Sequence, residues 1–274
     1  MASADFTFGV EIESTMPAGI VRVGGHGCGY QVPWLPAGWL ADGDPSISAP
    51  SGRVGCEFVS PILRGAEGIR QLMEVIAEIK RRGGEVNPSC GLHVHVGFDI
   101  ANTNAIYRLI SLVANHERGL YAITGTRRRE AGTGSRYDTC WCKGLRQYGK
   151  AQDAERYAKG DRYHMLNLAT YKPTVEFRVF AGSLNALKVA TYVMVCVGLC
   201  DRACSVTRSA KWTPKPKNTN KQGQWEATRL METLGWKKNG NASQPLRVIE
   251  GEDVPTVERM VAELTRLAKK YDGE

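Results

Sequence analysis

Residues Gly91–Gly97 read GLHVHVG, and this heptapeptide decides the fold. Side chains two apart on a strand point to the same face. His93 and His95 therefore share one face while Val94 between them turns to the other. The same grammar recurs on both sides along the chain. Phe6–Glu13 (FTFGVEIE) sets Glu11 and Glu13 around Ile12, and Thr174–Phe180 (TVEFRVF) sets Glu176 and Arg178 around Phe177. Cys56–Val59 (CEFV), stopped by Ser60-Pro61, adds Glu57 on a fourth strand. Each strand thus offers a greasy face to a core and a charged face to something else.

Helical patterns lie between these strands. Ala66–Arg82 carries Ile69, Leu72, Met73, Ile76 and Ile79 on one stripe and ends in Arg81, Arg82, Gly83 and Gly84. Asn104–Ile123 reads as one helix with Ile106, Leu109, Ile110 and Val113 buried, and Leu187–Arg202 as a buried helix. Val257, Met260, Val261, Leu264, Leu267, Ala268 and Tyr271 mark the face of a final helix. Residues 19–50, rich in Gly and Pro, predict loops with short strands, and Arg162–Leu168 predicts another strand. Thr124–Asp161 is polar, with Arg127–Arg129 in a row; it reads as a mobile segment over a site or as a solvated insertion. Strands mixed irregularly with helices predict an α+β fold with a mainly antiparallel sheet. The expected organisation is a catalytic domain over 1–204, with 124–161 inserted, and then 205–274 as a basic linker with a helical extension packing on the core.

The chain has 274 residues, 42% of them hydrophobic, which supports one large core. A net charge of +8 favours anionic partners such as nucleotides, nucleic acid or acidic peptides. The N-terminal residues have neither a basic nor an apolar leader pattern, and Val189–Cys200 is too short for a membrane span of ~20 residues. The eight cysteines form no CxxC pair. Cys196, Cys200 and Cys204 fall on one helix face, and Cys140 with Cys142 reads as an inert surface pair or a redox or metal pair. A reducing cytoplasm is the expectation.

Charged groups on faces this apolar must be paired or metal-bound. Carboxylate-rich ligation with an imidazole suits magnesium or manganese. A guanidinium beside such metals suits phosphate oxygens, because its planar fork makes two hydrogen bonds. Together these imply nucleotide chemistry. Each pair alone has an ordinary reading: a solvated edge strand for Glu11 and Glu13, a structural pair for His93 and His95, a surface ion pair for Glu176 and Arg178. A zinc hydrolase would also use an HxH strand, but the other histidines, His26, His116 and His164, stand in unlike contexts. Gly144–Ala151 (GLRQYGKA) mimics a phosphate loop but ends in alanine where a hydroxyl belongs, and no dinucleotide fingerprint is present.

The pieces FGVEIE, DPSIS, GCEFVSPIL, NPSCGLHVHVGFD and RYHMLNLATYKPTVEFRVFAGSLN, in that order between Phe6 and Asn185, resemble the amidoligase family of the glutamine synthetase-like carboxylate–amine ligase superfamily. The resemblance implies a curved catalytic sheet flanked by helices, ATP with Mg2+ or Mn2+, and amide formation through an acyl-phosphate. It implies that Glu11, Glu13, Glu57, His93 and Glu176 bind metal. His95 would face the nucleotide or brace the site, Arg178 would bind phosphate, and Arg162 would bind phosphate or substrate. Asp44, in GDPSIS, would be the base for the amine, or else merely cap a turn before Pro45. The carboxylate and amine substrates stay open, as does a ligase fold with a dead site. A homo-oligomer is the expectation from the superfamily.

Beyond the resemblance lies Arg208–Lys221, with Arg208, Lys211, Lys215, Lys217 and Lys221 around Trp212 and with prolines at 214 and 216. It reads as a solvated linker, or as an extended basic strand that tracks nucleic acid.

Overall fold

The computed structural model describes residues 5–25, 27–127, 141–208, 211, 222–238 and 247–274. Its frame is an eight-stranded sheet. Five of the strands lie in the first quarter of the chain: β1 (Thr7–Pro17), β2 (Tyr30–Gln31), β3 (Leu40–Gly43), β4 (Arg53–Val59) and β5 (Leu63–Arg64). Then come α1 (Gly65–Arg81), β6 (Gly91–Gly97), α2 (Thr103–Asn115), α3 (Glu117–Ala122), α4 (Ala151–Gly160), β7 (Leu166–Asn167), β8 (Thr174–Ala181), α5 (Ala186–Ser205), α6 (Gln222–Thr233) and α7 (Val257–Gly273). The strand order is β2-β3-β4-β1-β6-β8-β7, with β5 pairing β1. Every pairing is antiparallel. The chain is therefore α+β with an open antiparallel sheet, as the alternating patterns predict.

The alternation works as sheet geometry demands. Phe8, Val10 and Ile12 of β1, Phe58 of β4, Leu92, Val94 and Val96 of β6 and Phe177 of β8 are all buried in the core. Against that core α1 buries Ile69, Leu72, Val75, Ile76 and Ile79. Helix α5 is buried nearly throughout, and its Tyr192 ring stacks on Phe180. Each fully buried aliphatic or aromatic side chain contributes roughly 1.5–3 kcal/mol. The opposite faces of these strands carry the acids and imidazoles. The C-terminal helices close the fold: α6 packs on α3, and α7 on α3, α5 and α6. Asp272 of α7 accepts the Gly223 and Gln224 amides at the start of α6.

Several sequence expectations are corrected. Asn104–Ile123 is two helices, broken at His116, whose ring meets the Thr233 hydroxyl at 2.9 Å. The break brings α6 against α3, a tertiary demand that no local pattern records. The strand expected over Arg162–Leu168 shrinks to Leu166–Asn167, because His164 turns inward to Tyr148 and the Asp161 carbonyl. In the insertion, α4 is a regular helix that buries Ala151, Ala154 and Ala158. Cys142 is fully buried rather than on the surface, and its carbonyl accepts the Tyr121 hydroxyl. Residues 128–140, which include Cys140, lie outside the described residues, as do 212–221 of the basic stretch. Among the described residues no helix is long and apolar enough to cross a membrane.

Candidate active site

Strand pairing turns three local dipeptide patterns into one cluster. Glu13 sits directly opposite Glu57 of β4, and Glu11 opposite His93 of β6. His95 in turn sits opposite Glu176 of β8, and Glu176 opposite Asn167 of β7. The row therefore crosses five adjacent strands on the face away from the core.

Its contacts are short. His93 Nδ1 lies 2.9 Å from one oxygen of Glu11, and His95 Nε2 lies 3.0 Å from the other. His93 Nε2 is 3.4 Å from Glu13 Oε1, and its Nδ1 is 3.5 Å from Glu176 Oε1 and 3.9 Å from Glu57 Oε1. The Gly91 amide donates to Glu13 Oε2. Arg178 Nη1 donates to Glu176 Oε1 at 2.5 Å. Arg178 Nε is buried and has no hydrogen-bond partner among the described residues. Glu13, Glu57, His93, Glu176 and Arg178 are all buried.

Burial and crowding set the charges. Burial pushes the Glu11 carboxyl up, but hydrogen bonds from His93 and His95 outweigh it and hold it well below the usual range. Burial opposes the His95 imidazolium, yet Glu11 and Glu176 beside it raise its proton affinity. Glu176 is held low in the same way, burial being outweighed by His93, Arg178 and His95. Glu57 goes the other way. Burial, then Glu11, Glu13 and Asp44, push it up to about 9 against the pull of Arg178. The cluster holds more acid than its own cations can neutralise.

Three overlapping sets have ligand atoms within 4.8 Å of one another: Glu11, His95 and Glu176; Glu11, Glu57 and His93; and Glu13, Asp44 and Glu57. Hard oxygens with one imidazole fit Mg2+ or Mn2+. The excess of acid at Glu57 is what a bound cation would relieve. On both counts the residues present fit a divalent metal, and the orphaned Arg178 Nε fits an anion beside it.

The sequence-predicted residues divide accordingly. Glu11, Glu13, Glu57, His93, His95, Glu176 and Arg178 converge. Asp44 reaches the cluster beside Glu13 and Glu57, and its Oδ1 also accepts the Ser46 amide, as in a turn cap. Arg162 is exposed, its guanidinium 5.5 Å from the Tyr163 ring, and no contact among the described residues ties it to the cluster. Two buried residues were missed. Asp42, opposite Glu57, accepts the Gly27 and Cys28 amides and so tethers that loop. Asn167 donates to Glu176. Only strand register could have revealed either.

A family model described as "Putative amidoligase enzyme" matches residues 26–200. That span holds Glu57, His93, His95, Glu176 and Arg178, whereas Glu11 and Glu13 precede it. A search of curated proteins found no match.

Proposed function

The chain belongs to the amidoligase family, and from that premise we propose an ATP-dependent carboxylate–amine ligase, built on a glutamine synthetase-like sheet, that works through an acyl-phosphate. One observation carries the reading: buried and half-buried acids and imidazoles form three overlapping metal-capable sets beside a buried guanidinium whose Nε has no partner among the described residues.

Glu11, Glu13, Glu57, His93 and Glu176 would hold Mg2+ or Mn2+. Bound there, the metal would neutralise charge on the β- and γ-phosphates of ATP. The protein's own residues do the rest. Arg178, fixed by Glu176, offers a rigid fork to charge developing on the transferred phosphoryl group. His95, braced by Glu11, would face the nucleotide. A carboxylate is a poor acceptor for an amine; phosphorylation gives it a good leaving group. The amine must lose a proton to attack, and Asp44, beside the cluster, would accept it. Arg162 takes no part in this reading, because it stands apart from the cluster. Of the other described histidines, His116 is engaged with Thr233, and His164 with Tyr148 and the Asp161 carbonyl. Among the described residues the cluster therefore holds two imidazoles and a majority of carboxylates, a donor set that favours Mg2+ or Mn2+.

Titration calorimetry with ATP in Mn2+ and in EDTA tests the reading. Metal-dependent binding is expected; equal affinity in both conditions contradicts it.

A further inference from the structure

Glu176 has two oxygens with different tasks. Oε1 faces the cluster: it accepts Arg178 Nη1 at 2.5 Å and lies 3.5 Å from His93 Nδ1 and 4.0 Å from His95 Nε2. Oε2 faces β7 and accepts the amide nitrogen of Asn167 at 2.5 Å. Asn167 is itself oriented, because its Oδ1 accepts the Ala169 backbone amide at 2.7 Å. An amide whose oxygen is committed to an N–H must present its NH2 on the other side. Asn167 and Glu176 are 3% and 4% exposed, so little water reaches either to replace the contact. The pair is also fixed by backbone, since the two residues are register partners across β7 and β8.

We propose that Asn167 is the positioning residue that makes Glu176 a one-oxygen metal ligand, by tying Oε2 to the sheet edge and leaving Oε1 alone to face the cluster. This rests on the metal reading above. A carboxylate free to rotate would present either oxygen, or both, and would loosen Arg178, which shares Oε1. The amide cannot titrate in the working pH range, so the tether holds at every pH. A carboxylate in its place would repel Glu176. Outer partners of this kind are worth about 10–100-fold in metal affinity.

The experiment is Mn2+ binding to the full chain without nucleotide, by titration calorimetry, for wild type, Asn167→Ala, Asn167→Asp and Glu176→Gln. Thermal melting in EDTA reports which variants are folded. The expected result is Mn2+ binding about tenfold or more weaker in Asn167→Ala, and weaker still in Asn167→Asp, with Asn167→Ala folded though melting below wild type, since two buried hydrogen bonds are lost. Alanine removes the donor to Glu176 and the acceptor of the Ala169 amide without adding a charge, so this variant tests the idea even if the aspartate variant does not fold. Wild-type affinity in a folded Asn167→Ala chain, alongside weakened Mn2+ binding in Glu176→Gln, overturns the assignment and leaves the metal reading standing. No Mn2+ binding by wild type overturns the assignment together with the metal reading beneath it.

Discussion

Replacing Glu57 with glutamine should stabilise the metal-free chain at pH 7 and abolish its response to metal. Glu57 is buried among Glu11, Glu13 and Asp44, and its carboxyl is pushed up to about 9 from an ordinary 4.5. At pH 7 the folded chain must therefore hold a proton that the unfolded chain has released. Each pH unit between 4.5 and 7 costs about 1.4 kcal/mol, or about 3 kcal/mol in all. The sign follows from a raised pKa: stability is fully present below 4.5 and is lost as pH rises towards 9. Glutamine keeps the size and cannot ionise, so it removes this loss. For a domain of this size 1 kcal/mol moves Tm by about 2–4 °C, which predicts a rise of about 6–12 °C. Calorimetric melting in EDTA at pH 7 and at pH 4.5 is the assay. The gain should shrink towards zero at the lower pH. Added Mn2+ should raise the wild-type Tm by mass action and leave the variant unmoved. A glutamine variant that melts at or below wild type at pH 7 would refute the idea that crowded acid is held there for a cation.

Other outcomes follow from the same geometry. Arg178→Lys should keep the charge and lose ATP turnover, because an ammonium cannot supply the planar fork; near-normal turnover counts against a phosphoryl role. Glu13→Ala should end turnover in a chain that circular dichroism shows folded, whereas Glu176→Ala should also lower stability by about 3 kcal/mol, since it strands buried Arg178. Burial holds the His116 imidazole down at about 3, so stability present above pH 6.5 should fall on acidification, by about 2 kcal/mol at pH 5. His116→Gln should flatten that acid limb, and an unchanged limb would assign the loss elsewhere. If the basic stretch 208–221 engages nucleic acid, binding should weaken steeply with salt, and serine at its five cations should flatten the slope. No binding at low salt leaves it a linker.

The site was legible in the sequence because its signal is local. Period two alone puts Glu11 with Glu13, His93 with His95, and Glu176 with Arg178 on common faces, and the buried residues between them identify those faces. What joins the pairs is register, which pairs Glu13 with Glu57 across 44 positions and has no local trace. The same limit hid Asn167 and Asp42, both of which read as ordinary polar residues until β7 and β3 are paired. Helix α4 did leave a trace. Ala151, Ala154 and Ala158 recur at helical spacing, but alanine stripes carry little hydrophobic contrast within a charged segment. The break at His116 left none, since Ile106 through Ile123 keep a continuous apolar period and only packing of α6 on α3 requires the turn.

The central claim is that this site activates a carboxylate by phosphorylation. The most direct measurement follows the wild-type chain with ATP, Mg2+ and a panel of carboxylic acids, using hydroxylamine as the trapping amine, with 31P NMR for the nucleotide and phosphate products and ferric-complex absorbance for the hydroxamate. The account predicts hydroxamate formed in step with ADP and inorganic phosphate, and neither with Arg178→Lys nor in EDTA. AMP and pyrophosphate, or hydroxamate formed without any nucleotide, would contradict it.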